Sequence, residues 1–340
     1  MQRSEDTKKT VLKQARRFST APMMDWTDRH CRYLHRQLTG RSLLFTEMVT
    51  SAALVHGDPE RLLARDAGEY PVAVQLGGSD AVELAEAVRI CDRFDYDEIN
   101  LNVGCPSDRV QSGRFGACLM AEPELVRDCL VAMRDATDTP VTAKCRIGID
   151  DQDSEADLDR FVNIVLQSGI EALYIHARKA WLQGLSPKEN RDIPPLDYER
   201  VYRLKERLGD FPVFINGGIK TLQECQVHLR YVDGVMLGRS AYHDPMILAD
   251  VDRAIFGEDA PAKTLTQIEA AMTAYAEREL AKGARLNQIT RHMLGLANGM
   301  PGARRFRQIL SVKACIPGAS PQVIADAFAA LEPAKAMATA

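Results

Sequence analysis

Short runs rich in β-branched and aliphatic residues recur along the chain at 18–22 (FSTAP), 42–47 (SLLFTE), 72–76 (VAVQL), 97–102 (DEINLN), 140–145 (PVTAKC), 172–177 (ALYIHA), 212–216 (PVFIN) and 233–238 (DGVMLG). Between most of them lie segments of helical periodicity, at 81–93, 123–135, 157–168, 198–208 and 222–231. Strand and helix signals that alternate in this way predict parallel strands, because a parallel neighbour requires a crossover long enough to hold a helix. Eight such units match a (β/α)8 TIM barrel of about 250 residues, whereas a doubly wound sheet shows fewer strands and a glycine-rich first turn. No GxGxxG follows the first run. Polar residues close many of the runs: Gln75, Asn100 and Asn102, Lys144 and Arg146, His176 and Arg178, and Asn216. In a barrel these C-terminal strand ends form the active face.

The alternation stops near residue 255. Beyond it only helix-like stretches follow, at 265–282, 284–296, 304–314 and 321–331, which predicts a small helical domain over 260–335. The barrel then occupies 18–255, preceded by a polar extension, 1–17. From 260 to 340 there are ten Lys and Arg against five Asp and Glu, a net +5, so a chain of overall charge −4 carries −9 elsewhere. That total excludes a uniformly basic nucleic-acid coat and leaves a local basic surface open.

With 340 residues, 46% of them hydrophobic, the chain is neither a disordered tail nor a disulfide mini-protein. Its eight cysteines contain no CxxC pair and no metal-like Cys/His spacing, and read as reduced thiols of a cytoplasmic protein without a bound metal. Residues 1–17 have the pattern of neither a secretory signal nor an anchor, and no apolar stretch has the length to span a bilayer. Neither a membrane nor an obligate protein partner is implied.

Two glycine loops follow the last two strands, Asn216-Gly217-Gly218-Ile219 and Gly238-Arg239-Ser240. This is where the barrel fold usually binds phosphate, and backbone N–H groups beside a helix starting near Lys220 predict such a cradle; the plainer alternative is a pair of tight turns. Lys144 with Arg146, and His176 with Arg178, alternate along neighbouring strands, so cations converge on one side. They call for an anionic partner: either acids such as Glu47 and Asp97, or a ligand carrying negative charge such as a reduced flavin ring, to which Gln75 also bonds. Cys105 stands between Gly104 and Pro106 at the end of the fourth run, before the glycine-rich stretch 111–117. It is the one thiol on the expected catalytic face; Cys91, Cys118, Cys129, Cys145 and Cys225 fall within helices or a strand and read as small buried apolar residues. The acids Asp150, Asp151, Asp153 and Glu155 read as exposed residues leading into a helix.

Six segments together resemble the tRNA-dihydrouridine synthases: Ala21-Pro22-Met23-Met24-Asp25-Trp26-Thr27-Asp28, Asn102-Val103-Gly104-Cys105-Pro106, Lys144-Cys145-Arg146-Ile147-Gly148, His176-Ala177-Arg178, Asn216-Gly217-Gly218-Ile219 and Gly238-Arg239. The stretches 24–30 and 185–191 (LSPKENR) resemble the bacterial A-type branch, which acts on positions 20 and 20a of the tRNA D-loop. The resemblance implies FMN as prosthetic group, NADPH as reductant, and reduction of the uridine C5=C6 bond. It further implies that Ala21, Pro22, Met23, Gln75, Lys144 and His176 contact the flavin ring or ribityl chain, and that Asn216, Gly217, Gly218, Gly238 and Arg239 hold the phosphate. Cys105 becomes the proton donor to C5 once hydride from flavin N5 has reached C6, with Asn102 and Arg178 near the uracil. A thiol with an ordinary value near 8.5 is mostly protonated at neutral pH and suits that role.

Lys188 and Arg191, together with Arg304 and Arg307 at i, i+3 on a helix-like segment, are candidate tRNA phosphate contacts; a solvated helix face is the plainer reading of the arginines. Two alternatives remain: an FMN barrel reducing a small molecule of the dihydropyrimidine or dihydroorotate type, and a non-catalytic RNA-binding barrel. The basic tail argues against the first, and the joint presence of Cys105, Lys144 and His176 against the second.

Overall fold

The computed structural model describes residues 5–107, 113–153, 155–259 and 261–331. All eight runs are strands: β1 (Phe18–Thr20), β2 (Leu44–Thr50), β3 (Val72–Gly77), β4 (Glu98–Val103), β5 (Val141–Arg146), β6 (Leu173–His176), β7 (Val213–Asn216) and β8 (Gly234–Leu237). Their pairings are all parallel, in the order β1-β8-β7-β6-β5-β4-β3-β2. The sheet closes through a bridge from Ser19 to Leu43, with Thr20 N donating to Leu43 O and Leu43 N to Phe18 O, both at 3.0 Å. This is a (β/α)8 TIM barrel. Crossover helices stand at Ala81–Asp92, Pro123–Arg134, Ala156–Val165, Tyr198–Leu208 and Leu222–His228, within three residues of the sequence-based bounds.

The two faces of the strands divide the labour. Val72, Val74 and Leu76, Ile99, Leu101 and Val103, and Val141, Ala143 and Cys145 are buried and apolar. The alternating set, Gln75, Glu98, Asn100, Asn102, Thr142, Lys144 and Arg146, points into the lumen, since Lys144 Nζ donates across it to Asn216 Oδ1 on β7 (3.1 Å). Around the rest of the interior Phe45, Tyr174, Phe214 and Met236 make an apolar cluster. Leu12 and Ala15 belong to that cluster. They come from the helix Glu5–Ala15, so the expected polar extension contributes a helix to the barrel core. Its few apolar residues gave too weak a period to mark it.

The chain forms two compact units, and the division departs from the expected boundary. The barrel unit holds Met1–Thr27 and Arg41–Gly238; the helical unit holds Asp28–Gly40 and Arg239–Ala340. Helix Arg29–Leu38, which follows β1 and by sequence belongs to the barrel, is held in the helical unit by its ends: Asp28 pairs with Arg291 (2.6 Å) and His292 (3.0 Å), while Thr39 Oγ1 and Gly40 N donate to Asp252 (2.5 and 2.7 Å). The tail helices lie at Leu265–Ala281, Leu286–Thr290, Ala303–Val312 and Gln322–Ala329. The second is shorter than the 284–296 read from the sequence and is followed by turns. Residues 332–335 of the expected domain fall outside the described residues.

Candidate active site

Cys105 sits in the loop after β4, half-buried. Asn102, the last lumen-facing residue of that strand, turns its Oδ1 onto the backbone N–H groups of Gly104 (3.0 Å) and Cys105 (2.9 Å), an Asx turn that fixes the thiol's place. Cys105 O accepts from Ala117 N (2.9 Å), and its Sγ lies 3.6 Å from Ser107 Oγ. Gln111 and Ser112 of the glycine-rich stretch fall outside the described residues. Cys91, Cys129, Cys145 and Cys225 are buried, and burial pushes each thiol upward, to about 12 for the last three. Cys118 is half-buried in a 3-10 turn, less enclosed than its sequence context suggested.

Asn102 also ends a chain of side-chain hydrogen bonds. Its Nδ2 donates to Gln75 Oε1 (2.7 Å), Gln75 Nε2 to Asn100 Oδ1 (2.8 Å), Asn100 Nδ2 to Thr142 Oγ1 (2.8 Å), and Thr142 Oγ1 to Glu98 Oε1 (2.6 Å). Glu98 is further bound by Arg16 Nε (2.7 Å) and Tyr174 OH (3.2 Å). Thr142, Glu98, Tyr174 and Arg16 were not anticipated as part of the site. The sequence signal for Glu98 and Thr142 is a polar residue at every second position of β4 and β5, a pattern an ordinary barrel core does not require; Tyr174 and Arg16 carry no such signal.

Lys144, Arg146 and His176 lie close enough to influence one another's charge, whereas Arg178 turns away. Arg146, almost fully buried, donates to Gly104 O (2.9 Å), Lys179 O (2.9 Å) and Asn190 O (3.0 Å), and so clamps the β4 and β6 loops. Among the described residues neither it nor Lys144 pairs with an acid. Glu47 accepts Asp25 N (2.5 Å), and Asp97 accepts Val72 N (2.8 Å) at the opposite end of the barrel. Burial, then neighbouring Arg146, pushes the Lys144 amine down to about 8; burial pushes Arg146 to about 10. His176 is held well below the usual imidazole range by burial and by Arg146, Lys144, Arg178 and Arg191, and is therefore neutral at pH 7. Arg178 lies beyond the end of β6, and its guanidinium bonds the carbonyls of Asp192 and Pro194, so it does not continue the strand's alternation.

At β7 the glycines are required. Gly217 and Gly218 have φ of 118° and 71°; a Cβ on Gly217 would stand 2.6 Å from the His176 ring, and one on Gly218 2.5 Å from Leu196. Tyr198 OH donates to Gly217 O (2.7 Å). The helix near Lys220 differs from expectation: it begins at Leu222 with a capping box, and Glu224 Oε2 accepts Lys220 N and Thr221 N. Those donors are spent within the helix cap. Gly238 follows β8 directly, beside Ala21 and Met23, with Ala21 N bonded to Leu237 O (2.7 Å), and Arg239 comes next in sequence. Met23 N and O both bond Thr27 Oγ1, which shapes the Ala21-Pro22-Met23 turn. A cation pair, Lys144 and Arg146, with no acid partner among the described residues, glycines in tight contact with His176 and Leu196 and a thiol at the same strand ends suit an anionic ligand with a phosphate group.

The chain matches the dihydrouridine synthase (Dus) family over residues 19–318. It belongs to that family. The match covers seven strands in full, all but the first residue of β1, and most of the helical unit. Relatives named tRNA-dihydrouridine(20/20a) synthase come from Vibrio parahaemolyticus (57% identical over 314 residues, 92% of this chain and 96% of the relative), Salmonella typhi (58% over 315, 92% and 95%) and Pseudomonas putida (56% over 297, 87% and 88%). The resemblance drawn from the six segments is thus borne out, including the branch. Among solved structures, an old yellow enzyme homologue from Zymomonas mobilis aligns at a TM-score of 0.52 with 12% identity, covering 74% of this chain and 92% of that one, a likeness of fold.

The candidate tRNA contacts are exposed. Lys188 and Arg191 lie in the loop after β6, around a 3-10 turn at Glu189–Arg191. In the helical unit, helix Ala303–Val312 buries Ala303, Phe306, Ile309 and Leu310 and turns Arg304, Arg305 and Arg307 outward. Of the acidic run, Asp151, Asp153 and Glu155 are exposed ahead of helix Ala156–Val165, with Glu155 paired to Arg200 (3.3 Å), while Asp150 accepts Leu182 N (2.8 Å).

Proposed function

We propose that the chain is an FMN-dependent synthase that reduces the C5=C6 bond of uridines 20 and 20a in the tRNA D-loop with NADPH as reductant, in the cytoplasm. The observation that carries this reading is family membership over the barrel joined to a half-exposed thiol, Cys105, fixed at the C-terminal strand ends beside Lys144 and Arg146, which pair with no acid among the described residues. When bound, FMN supplies the hydride. Lys144 and His176 would hold its ring edge together with Gln75, Ala21, Pro22 and Met23, and Asn216, Gly217, Gly218, Gly238 and Arg239 its phosphate. Lys144 is largely protonated at neutral pH and supports an electron-rich ring; neutral His176 donates or accepts one hydrogen bond.

Cys105 delivers the proton to uracil C5, which quenches the enolate-like charge left by addition at C6. Asn102 orients the loop, and Arg178 is assigned to the uracil's surroundings. The base must leave its stack to reach a barrel mouth, which calls for a phosphate grip elsewhere on the tRNA. Lys188, Arg191, Arg304 and Arg307 are assigned that grip.

The test is direct. Purified protein should be yellow, release FMN on denaturation, bleach with NADPH in the absence of RNA and reoxidise on tRNA lacking dihydrouridine. The tRNA should gain two mass units per modified uridine. Recovery of FAD, or reoxidation by orotate or a free pyrimidine base but not by tRNA, overturns the reading.

A further inference from the structure

The hydrogen-bond chain in the lumen has a direction, and both of its ends impose it. At one end stands Glu98, a carboxylate that only accepts; at the other stand the N–H groups of Gly104 and Cys105, which only donate. Between them, three amides and a hydroxyl must all point the same way: Thr142 gives to Glu98 and receives from Asn100, Asn100 receives from Gln75, and Gln75 receives from Asn102. Reversing any single amide would set two donors or two acceptors face to face. All of these side chains are at most 9% exposed, so water does not readily repair such a mismatch. Glu98 is itself fixed from the far side by Arg16 and Tyr174.

We infer that Glu98 and Thr142 are positioning residues for Cys105, acting through an amide relay that keeps Asn102 Oδ1 turned to the Cys105 backbone. No proton moves along the relay; it fixes orientation only. It also determines that Gln75 and Asn102 each keep one N–H beyond the relay, without a partner among the described residues, so both meet a ligand as donors. The relay crosses three strands, from residue 98 to 142, back to 100, across to 75 and to 102, so neither the turn nor any one strand could fix the direction alone. The Cys105 turn then depends on a hydroxyl it does not touch.

Thr142→Val removes the hydroxyl and leaves Glu98 bound by Arg16 and Tyr174; Thr142→Ser keeps it. The first readout is the iodoacetamide labelling rate of Cys105, followed by peptide mass in the flavin-saturated protein. Thr142→Val should label at least threefold faster, because Asn102 is free to turn its amide, and Thr142→Ser should label as wild type does. The second readout rests on the reading of Cys105 as proton donor. Flavin reoxidation by tRNA should slow about tenfold in Thr142→Val at saturating tRNA, with KM for tRNA unchanged. A residue that served stability alone would lower the melting temperature and leave labelling and the kcat-to-KM split untouched. If the valine variant does not fold, Thr142→Ala removes the same hydroxyl without adding a methyl. Wild-type labelling in the valine or alanine variant overturns the relay whatever Cys105 does in catalysis. Faster labelling with unchanged reoxidation keeps the relay and removes the proton-donor reading.

Discussion

Polar side chains do opposite kinds of work in the lumen between β3 and β5 and on helix Ala303–Val312. In the lumen Glu98, Asn100, Asn102, Gln75 and Thr142 are buried and each answers a specific neighbour, because an unmatched buried polar group costs about 1–3 kcal/mol. On the helix Arg304, Arg305 and Arg307 face water over a buried stripe of Ala303, Phe306, Ile309 and Leu310, and their partners are single amides, Gln308 for Arg305 and Asn298 for Arg307. The units differ in charge as well. The helical unit carries fifteen Lys and Arg against eleven acids, a net +4 that leaves −8 for the barrel unit. Buried groups make geometry, which one atom can destroy; exposed charges make attraction, which is counted in units and screened by salt.

The comparison breaks first, and by most, at Cys105. Cys105→Ala should bind flavin and be reduced by NADPH at near the wild-type rate, yet reoxidise on tRNA about two to four orders of magnitude more slowly, the range a positioned general acid supplies. Cys105→Ser should be similarly slow, and Cys91→Ala or Cys129→Ala should change stability alone, since both thiols are enclosed in helices. Anaerobic single-turnover reoxidation separates the two half-reactions. A fast Cys105→Ala would move proton delivery to another group or to water.

A smaller effect should come from pH. The Lys144 amine lies at about 8 in the ligand-free barrel, below its ordinary value near 10.5. An anion beside it restores the charged form, so binding takes up as much as one proton between these limits. Flavin affinity should therefore be flat below pH 8 and fall as pH rises above it, by about tenfold near pH 9. Lys144→Met should bind more weakly at pH 7 and lose the slope. Fluorescence titration of FMN across this range decides it; an equal slope in the variant would mean that Lys144 does not face the anion.

The same contrast explains what was legible in the sequence. The barrel could be read because outward residues such as Val72, Val74 and Leu76 form apolar runs at strand spacing, and the catalytic-face loops because glycine, asparagine and cysteine stand where turns require them. The relay could not, because its partners lie 25 to 44 residues apart and meet only once the register is set. Helix Glu5–Ala15 hid behind its lysines, with Leu12 and Ala15 too few to announce a buried stripe. Helix Arg29–Leu38 was assigned by sequence order to the barrel, whereas Asp28, held well below the usual carboxylate range by His292 and backbone N–H bonds against the cost of burial, ties it to the helical unit.

The helical unit should yield the smallest and most graded change. Arg304 and Arg307 lie one turn apart on a face with no acid of its own helix, and Arg304 has no partner among the described residues. Each phosphate contact they make with tRNA releases condensed counterions, so replacing both with alanine should weaken binding severalfold. The slope of log affinity against log salt should flatten by about 0.7–0.9 for each lost contact. Nothing in the lumen changes, so flavin content and NADPH reduction should match wild type. The loss should shrink as salt rises, the mark of charge counted rather than geometry matched. An unchanged slope in the double variant would assign the grip to Lys188 and Arg191, and a loss that persists at high salt would mean that the arginines hold the RNA by fitted contacts like those of the lumen.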